Sequence, residues 1–118
     1  MSGKYYLKYV NKKHTEKAHF KKRFKERIGV ECSRKCYNNI IYDIKNKNSI
    51  LLYKLSTRVF CFLQILFNKK FIIVYDKFRD SLVTLIPEEN FTIYQLEYID
   101  NLSKTQYKKL YNKEKNDV

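Results

Sequence analysis

Glycine is nearly missing from this chain of 118 residues, which holds two, and proline occurs once, at Pro87. With so little glycine no GxGxxG or GxxxxGK loop can be built to cradle a phosphate, which argues against nucleotide-dependent enzymes of that kind. Acidic side chains number 12 against 25 Lys and Arg. Asp76 and Asp80 flank a turn, and no paired carboxylates at metal-binding spacing stand in the strand-forming region, so a metal-dependent nuclease is disfavoured. Cysteine appears three times, at 32, 36 and 61. That odd and sparse set is not a secreted disulfide scaffold, and reduced thiols are expected. Long apolar runs are also scarce. Val59 to Phe67, the longest, is interrupted by Gln64 and is about half the length of a membrane-spanning helix. The opening MSGKYYLKYVNKK has no apolar core of a signal peptide. The expectation is a cytoplasmic protein, or a virion-associated one if phage-encoded, with no membrane contact and no cofactor.

What is present is positive charge. The formal net charge is +13, and residues 1–35 hold twelve Lys and Arg against three Asp and Glu. A basic front half favours a polyanion, with RNA or other nucleic acid ahead of a membrane surface. Hydrophobic residues make up 44%, enough at this length for one modest core. Lysine, asparagine, isoleucine and tyrosine are plentiful, as an AT-rich coding sequence supplies them. Arginine is rare, with five, and two of these follow a histidine at four-residue spacing: His19, Arg23 and Arg27. That row runs beside an apolar row of Phe20, Phe24 and Ile28, at the border of whatever the phenylalanines pack against. Guanidinium groups bind phosphate bidentately, which lysine cannot reproduce. The plain structural alternative is an arginine stripe that snorkels over a core.

The pattern predicts an N-terminal arm or short strand over residues 1–14, an α+β core domain over 15–88 and a C-terminal helical extension over 89–118. A first helix runs from about Thr15 to Ile28 and stops at Gly29. Ser33 caps a second, with Cys36, Tyr37, Ile40, Ile41 and Ile44 as its apolar stripe. Four β-type segments follow, SILLYKLS, TRVFCFLQILF, KFIIVYD and SLVTLIP, joined by NKK and KFRD turns as an antiparallel meander. Two N-terminal helices packed on a four-stranded antiparallel sheet is the expected fold. Thr92 with Gln95 and Ser103 with Gln106 have capping-box spacing, which predicts C-terminal helices broken near Asn101. TQYKKLYNKEK covers the second sheet face or docks on a partner, and NKEKNDV reads as a frayed tail.

A helix carrying HxxxRxxxR, a second helix, then strands ending in IIVYD and LVTLIP resembles the small metal-independent ribonuclease fold of RelE-type toxins and colicin D, over about Thr15 to Pro87. The resemblance implies RNA cleavage by its own 2′-hydroxyl, which needs a base, a leaving-group acid and cations on the phosphorane. His19 then exchanges the proton, histidine being the side-chain type suited to neutral pH. Arg23 and Arg27 hold phosphate, and Thr84 orients it as the terminal-strand hydroxyl. Lys17, Arg58 and Tyr75 are candidates for nucleic-acid contact. The alternative is a non-catalytic nucleic-acid-binding or phage structural protein on the same scaffold, suggested by 11 tyrosines and 8 phenylalanines among the lysines. A protein partner or inhibitor would dock on the C-terminal helices. His14, His19, Cys32 and Cys36 have the types for zinc, yet HxxxxH followed by CxxxC is no recognised finger, and no metal is expected.

Overall fold

Neither glycine nor proline interrupts residues 4–28. In the computed structural model, which describes residues 3–108 and 110 and side chains from Lys12 onward, helix α1 runs without a break over Gly3–Ile28. The predicted arm or strand over 1–14 is thus corrected, from Gly3 on, to helix. Extending an existing helix adds one hydrogen bond per residue with no new nucleus, and this outweighs the β preference of the tyrosines and valine between Tyr5 and Val10. Gly29, at φ 91°, ends α1 in the left-handed region and donates its N–H to the Lys25 carbonyl at 2.9 Å.

Helix α2, Arg34–Lys45, starts where the Ser33 hydroxyl accepts the Cys36 N–H at 3.1 Å. Four strands follow as a meander: β1 Ile50–Lys54, β2 Val59–Leu66, β3 Lys69–Asp76 and β4 Ser81–Pro87, in the order β1-β2-β3-β4, all antiparallel. The β2–β3 turn is Phe67 and Asn68 at φ 52° and 65°, the doubly left-handed geometry that matches strand twist.

Alternation along the strands divides the core in two. Phe62, Phe71, Ile73, Tyr75, Leu82 and Leu85 face the helices and pack on Phe20, Phe24, Tyr37, Ile40 and Ile44. Cys61, Leu63, Ile72 and Val74 face the other way with Ile50 and Leu52. This explains an apolar β2 at both alternations: each face is covered. The second cover is C-terminal. Thr92 and Gln95 form the predicted capping box of α3, Ile93–Asp100. Ser103 and Gln106 exchange the same pair of bonds at 2.9 and 3.2 Å, and residues 104–108 are helical. Ile99, Leu102, Tyr107 and Leu110 close over the sheet. Lys109 and the tail from Tyr111 lie outside the described residues. Among those described, no helix is long and apolar enough to cross a membrane.

Candidate nucleic-acid interface

Helix α1 rests on β4 and β3 through Phe20 and Phe24, both at 0% exposure. One residue ahead of each phenylalanine stands His19 or Arg23, and one residue behind stands Lys21 or Lys25. At about 100° per residue these rows leave the buried stripe on opposite sides, so α1 has two flanks. The outer flank carries His19, Arg23 and Arg27, all exposed. Arg23 lies 3.6 Å from Glu26, with both side chains about half exposed. Arg27 reaches a cleft of about 250 Å³ that also includes Lys69, Lys70, Pro87 and two carboxylates, Glu88 and Glu89.

Thr84 does not join them. It pairs with Val74, whose side chain belongs to the core cluster on the α3 side, and directly paired residues of antiparallel strands share a face. The half-buried Thr84 therefore points away from α1. The other candidates lie elsewhere again. Arg58 bonds Asp76 at 2.9 Å and stacks at 5.0 Å over Phe78. Tyr75 is buried and donates its hydroxyl to Asp80. Lys17, on the inner flank, sits 5.0 Å from the centre of the Tyr37 ring.

Glu16 carries no role in the sequence analysis, and the structure gives it one. It continues the Phe20–Phe24 row one turn toward the N-terminus, where an acidic residue meets the sheet. One carboxylate oxygen lies 2.5 Å from Arg79 and the other accepts the Ser81 hydroxyl proton at 2.5 Å. Arg79 in turn lies 3.5 Å from Asp76, which also accepts the Arg79 N–H at 3.0 Å. Burial alone would push the Asp76 carboxyl up, but the hydrogen bonds from Arg58 and the Arg79 N–H, with both guanidinium charges, hold it below the usual range. This network ties the middle of α1 to the β3–β4 turn. The spacing of four from Glu16 to Phe20 was the available signal.

The inner flank faces α2, and there the surface is concave. A hollow of about 380 Å³ runs between Lys13 and Lys17 of α1 and Tyr37, Asn38 and Tyr42 of α2. It ends at the Lys45–Asp80 ion pair, 2.9 Å long, which also bounds a second hollow of about 480 Å³. Aromatic rings of Phe60, Phe62 and Tyr75 line that second hollow, with Lys77 at its edge. Tyr37 is fixed where its hydroxyl accepts the Leu82 N–H at 3.0 Å. Burial, then the charge of Lys21, lowers the Lys17 ammonium from its ordinary value. Near the start of α2, the Cys32 thiol donates to the Ser33 carbonyl at 3.8 Å, and its proximity brings the Cys36 thiol down to about 7, against the opposing effect of burial. The same proximity, with burial, pushes Cys32 up.

Three further placements complete the surface. The C-terminal helices, expected to take a protein partner, expose Ile93, Tyr94 and Tyr98 on α3. His14 and His19 are exposed on α1, whereas Cys32 is buried. No three His, Cys, Asp or Glu side chains gather as metal ligands among the described residues. In comparisons with known proteins, no family model, no curated protein and no solved structure matches this α+β chain.

Proposed function

We propose that this domain binds single-stranded RNA, without cutting it, along α1 and the hollows beside α2. One observation carries the reading: between Lys12 and Arg27 the sequence places eight Lys and Arg, and among the described residues ion pairs hold only Arg23 and Lys25. A helix so charged, lying beside a groove of aromatic rings, supplies the two parts that single-strand binding needs: cations for the backbone and π-faces for the bases. The resemblance to RelE-type and colicin D ribonucleases supports RNA as the polyanion. Cleavage through His19 is the second reading, favoured by an exposed imidazole in one row with two guanidiniums. It ranks second because Thr84 belongs to the opposite sheet face.

Fluorescence anisotropy with a labelled single-stranded RNA between 50 and 200 mM salt tests the proposal. Affinity falls steeply with salt, by about 0.7 in the log–log slope for each phosphate contacted. Reversing Lys17 and Lys21 to Glu weakens binding more than reversing Arg23 and Arg27, because the inner flank borders the groove. In chelator the RNA stays intact. Salt-insensitive or absent binding defeats the proposal, and products ending in 2′,3′-cyclic phosphate that vanish with His19→Ala replace it with the nuclease.

A further inference from the structure

The larger hollow has a more specific chemistry than the charge around it. Its wall is made of Phe60, Phe62 and Tyr75, with Phe62 and Tyr75 edge to face at 6.4 Å. Phe60 is only half buried, and two ammonium groups stand over its ring, Lys54 at 5.1 Å and Lys77 at 5.7 Å from the centre. An aromatic face that solvent and cations already reach is a face on which a planar ring can stack. The volume, about 480 Å³, falls in the range of small-ligand sites. Displaced from Phe60, the two ammoniums remain beside the stacked ring, where its phosphate would be.

Among the described residues, Asp80 is the carboxylate that lines this space. Asp80 receives the Tyr75 hydroxyl proton on one oxygen and Lys45 on the other at 2.9 Å. A carboxylate has about four lone-pair sites, so each oxygen keeps one to offer. Two adjacent acceptors suit an edge with two adjacent donors. Among the four RNA bases only guanine presents that edge, through N1–H and the 2-amino group. Adenine and cytosine offer one amino group, and uracil one N–H between two carbonyls that a carboxylate repels.

We propose that this hollow takes one unstacked guanine of a bound RNA strand, with the base on Phe60, its Watson–Crick edge on Asp80 and the flanking phosphates on Lys54 and Lys77. The inference rests on the RNA-binding reading and sharpens it. The strand reaches α1 through the smaller hollow, which meets the larger one at Lys45 and Asp80 and opens between Lys13 and Lys17.

Anisotropy with two labelled octamers, all uridine and uridine with one central guanosine, decides it. The guanosine octamer binds about tenfold more tightly to the wild type, a gain in keeping with one stacked base. Phe60→Leu removes that gain while retaining apolar volume. Asp80→Asn, tolerant of the left-handed backbone at φ 52°, removes the preference but keeps affinity for uridine. Thermal melting confirms that each variant is folded. Equal affinity of the wild type for both octamers overturns the guanine site and leaves RNA binding standing. Failure to bind either octamer removes both. If guanosine monophosphate binds as tightly as the guanosine octamer, a free nucleotide is the occupant and the RNA-strand assignment falls.

Discussion

Two cationic rows flank one buried stripe of α1, and the fold treats them differently. The outer row, His19, Arg23 and Arg27, borders open solvent and, at its end, a cleft whose carboxylates Glu88 and Glu89 oppose the arginine. Of the inner row Lys13, Lys17 and Lys21, the first two line a hollow shared with Tyr37 and Tyr42 of α2, which meets a second, aromatic-walled hollow at Lys45 and Asp80. Along the helix alone the two are near mirror images. What separates them is the neighbour: α2 stands beside the inner flank, whereas the outer row meets the sheet only at Arg27, beside Phe71 and Pro87. The larger concavities, and with them more capacity to exclude water from a bound group, lie on the flank that α2 borders. Rarity made arginine the conspicuous feature, yet the plentiful lysines occupy the shaped surface.

The largest test of this contrast removes what both flanks share. Glu16 holds Arg79 and Ser81 beneath α1, with the side chains of Glu16 and Arg79 at 17% and 13% exposure. Glu16→Ala leaves a mostly buried guanidinium beside Asp76 alone and orphans the buried Ser81 hydroxyl. The expected loss is about 3 kcal/mol, the low end for breaking a buried pair because some solvent remains. Urea unfolding followed by circular dichroism measures it. A loss under about 1 kcal/mol would mean that α1 is held by its phenylalanines alone and that the flanks are not fixed by this network.

That outcome bears on how much of the molecule could be read from its residues. Local signals carried the fold: Gly29 and Ser33 marked helix ends, the Thr92–Gln95 spacing marked a cap, and branched and aromatic runs marked four strands in meander order. Each depends on neighbours within a few positions. The start of α1 was lost because tyrosines between Tyr5 and Val10 favour strands intrinsically while an uninterrupted helix recruits them cooperatively. The site was only half legible for a different reason. Helical spacing correctly predicts that His19, Arg23 and Arg27 lie in one row, but which flank faces a groove depends on where α2 lands. Thr84 shows the same limit in a strand. The extra residue Val83, where the β3–β4 register shifts, re-phases the alternation between Leu82 and Thr84, and no periodicity in SLVTLIP announces it.

Acid separates the two regions by a smaller amount. Burial pushes Asp80 up, but the hydrogen bonds from Tyr75 and Lys45 hold it below the ordinary aspartate range, and Asp76 is likewise lowered. A carboxyl with a depressed folded pKa stabilises fully above its unfolded value, about 3.9, and that stability fades as pH falls through the folded value. Stability should therefore be flat from pH 7 to about 5 and decline below about 4. Arg58→Met weakens the hold on Asp76, so it lowers neutral-pH stability by about 1 kcal/mol, discounted because Arg58 is 41% exposed, and makes the acid decline shallower. An unchanged acid profile in this variant would mean that Arg58 contributes nothing to Asp76. Arg23→Met on the outer flank, where the pair with Glu26 is half exposed, leaves the profile as it was.

The smallest perturbation reports on which flank an RNA covers. Cys36 is half buried at the start of α2 and its thiol is brought down to about 7 by Cys32, whereas burial first of all pushes Cys61 up. Thiolate is the reactive form, so iodoacetamide at pH 7 should modify Cys36 well before Cys61, as peptide mass spectrometry would show. Lys17 and Lys21 lie close enough to Cys32, four residues before Cys36, for their charges to act on its thiol. The thiol pair is thus a neighbour of the inner row and not of the arginines. RNA seated beside α2 should slow alkylation of Cys36 several-fold and leave Cys61 unaffected. RNA held by His19, Arg23 and Arg27 alone would leave both rates unchanged, and the contrast between the flanks would then be reversed.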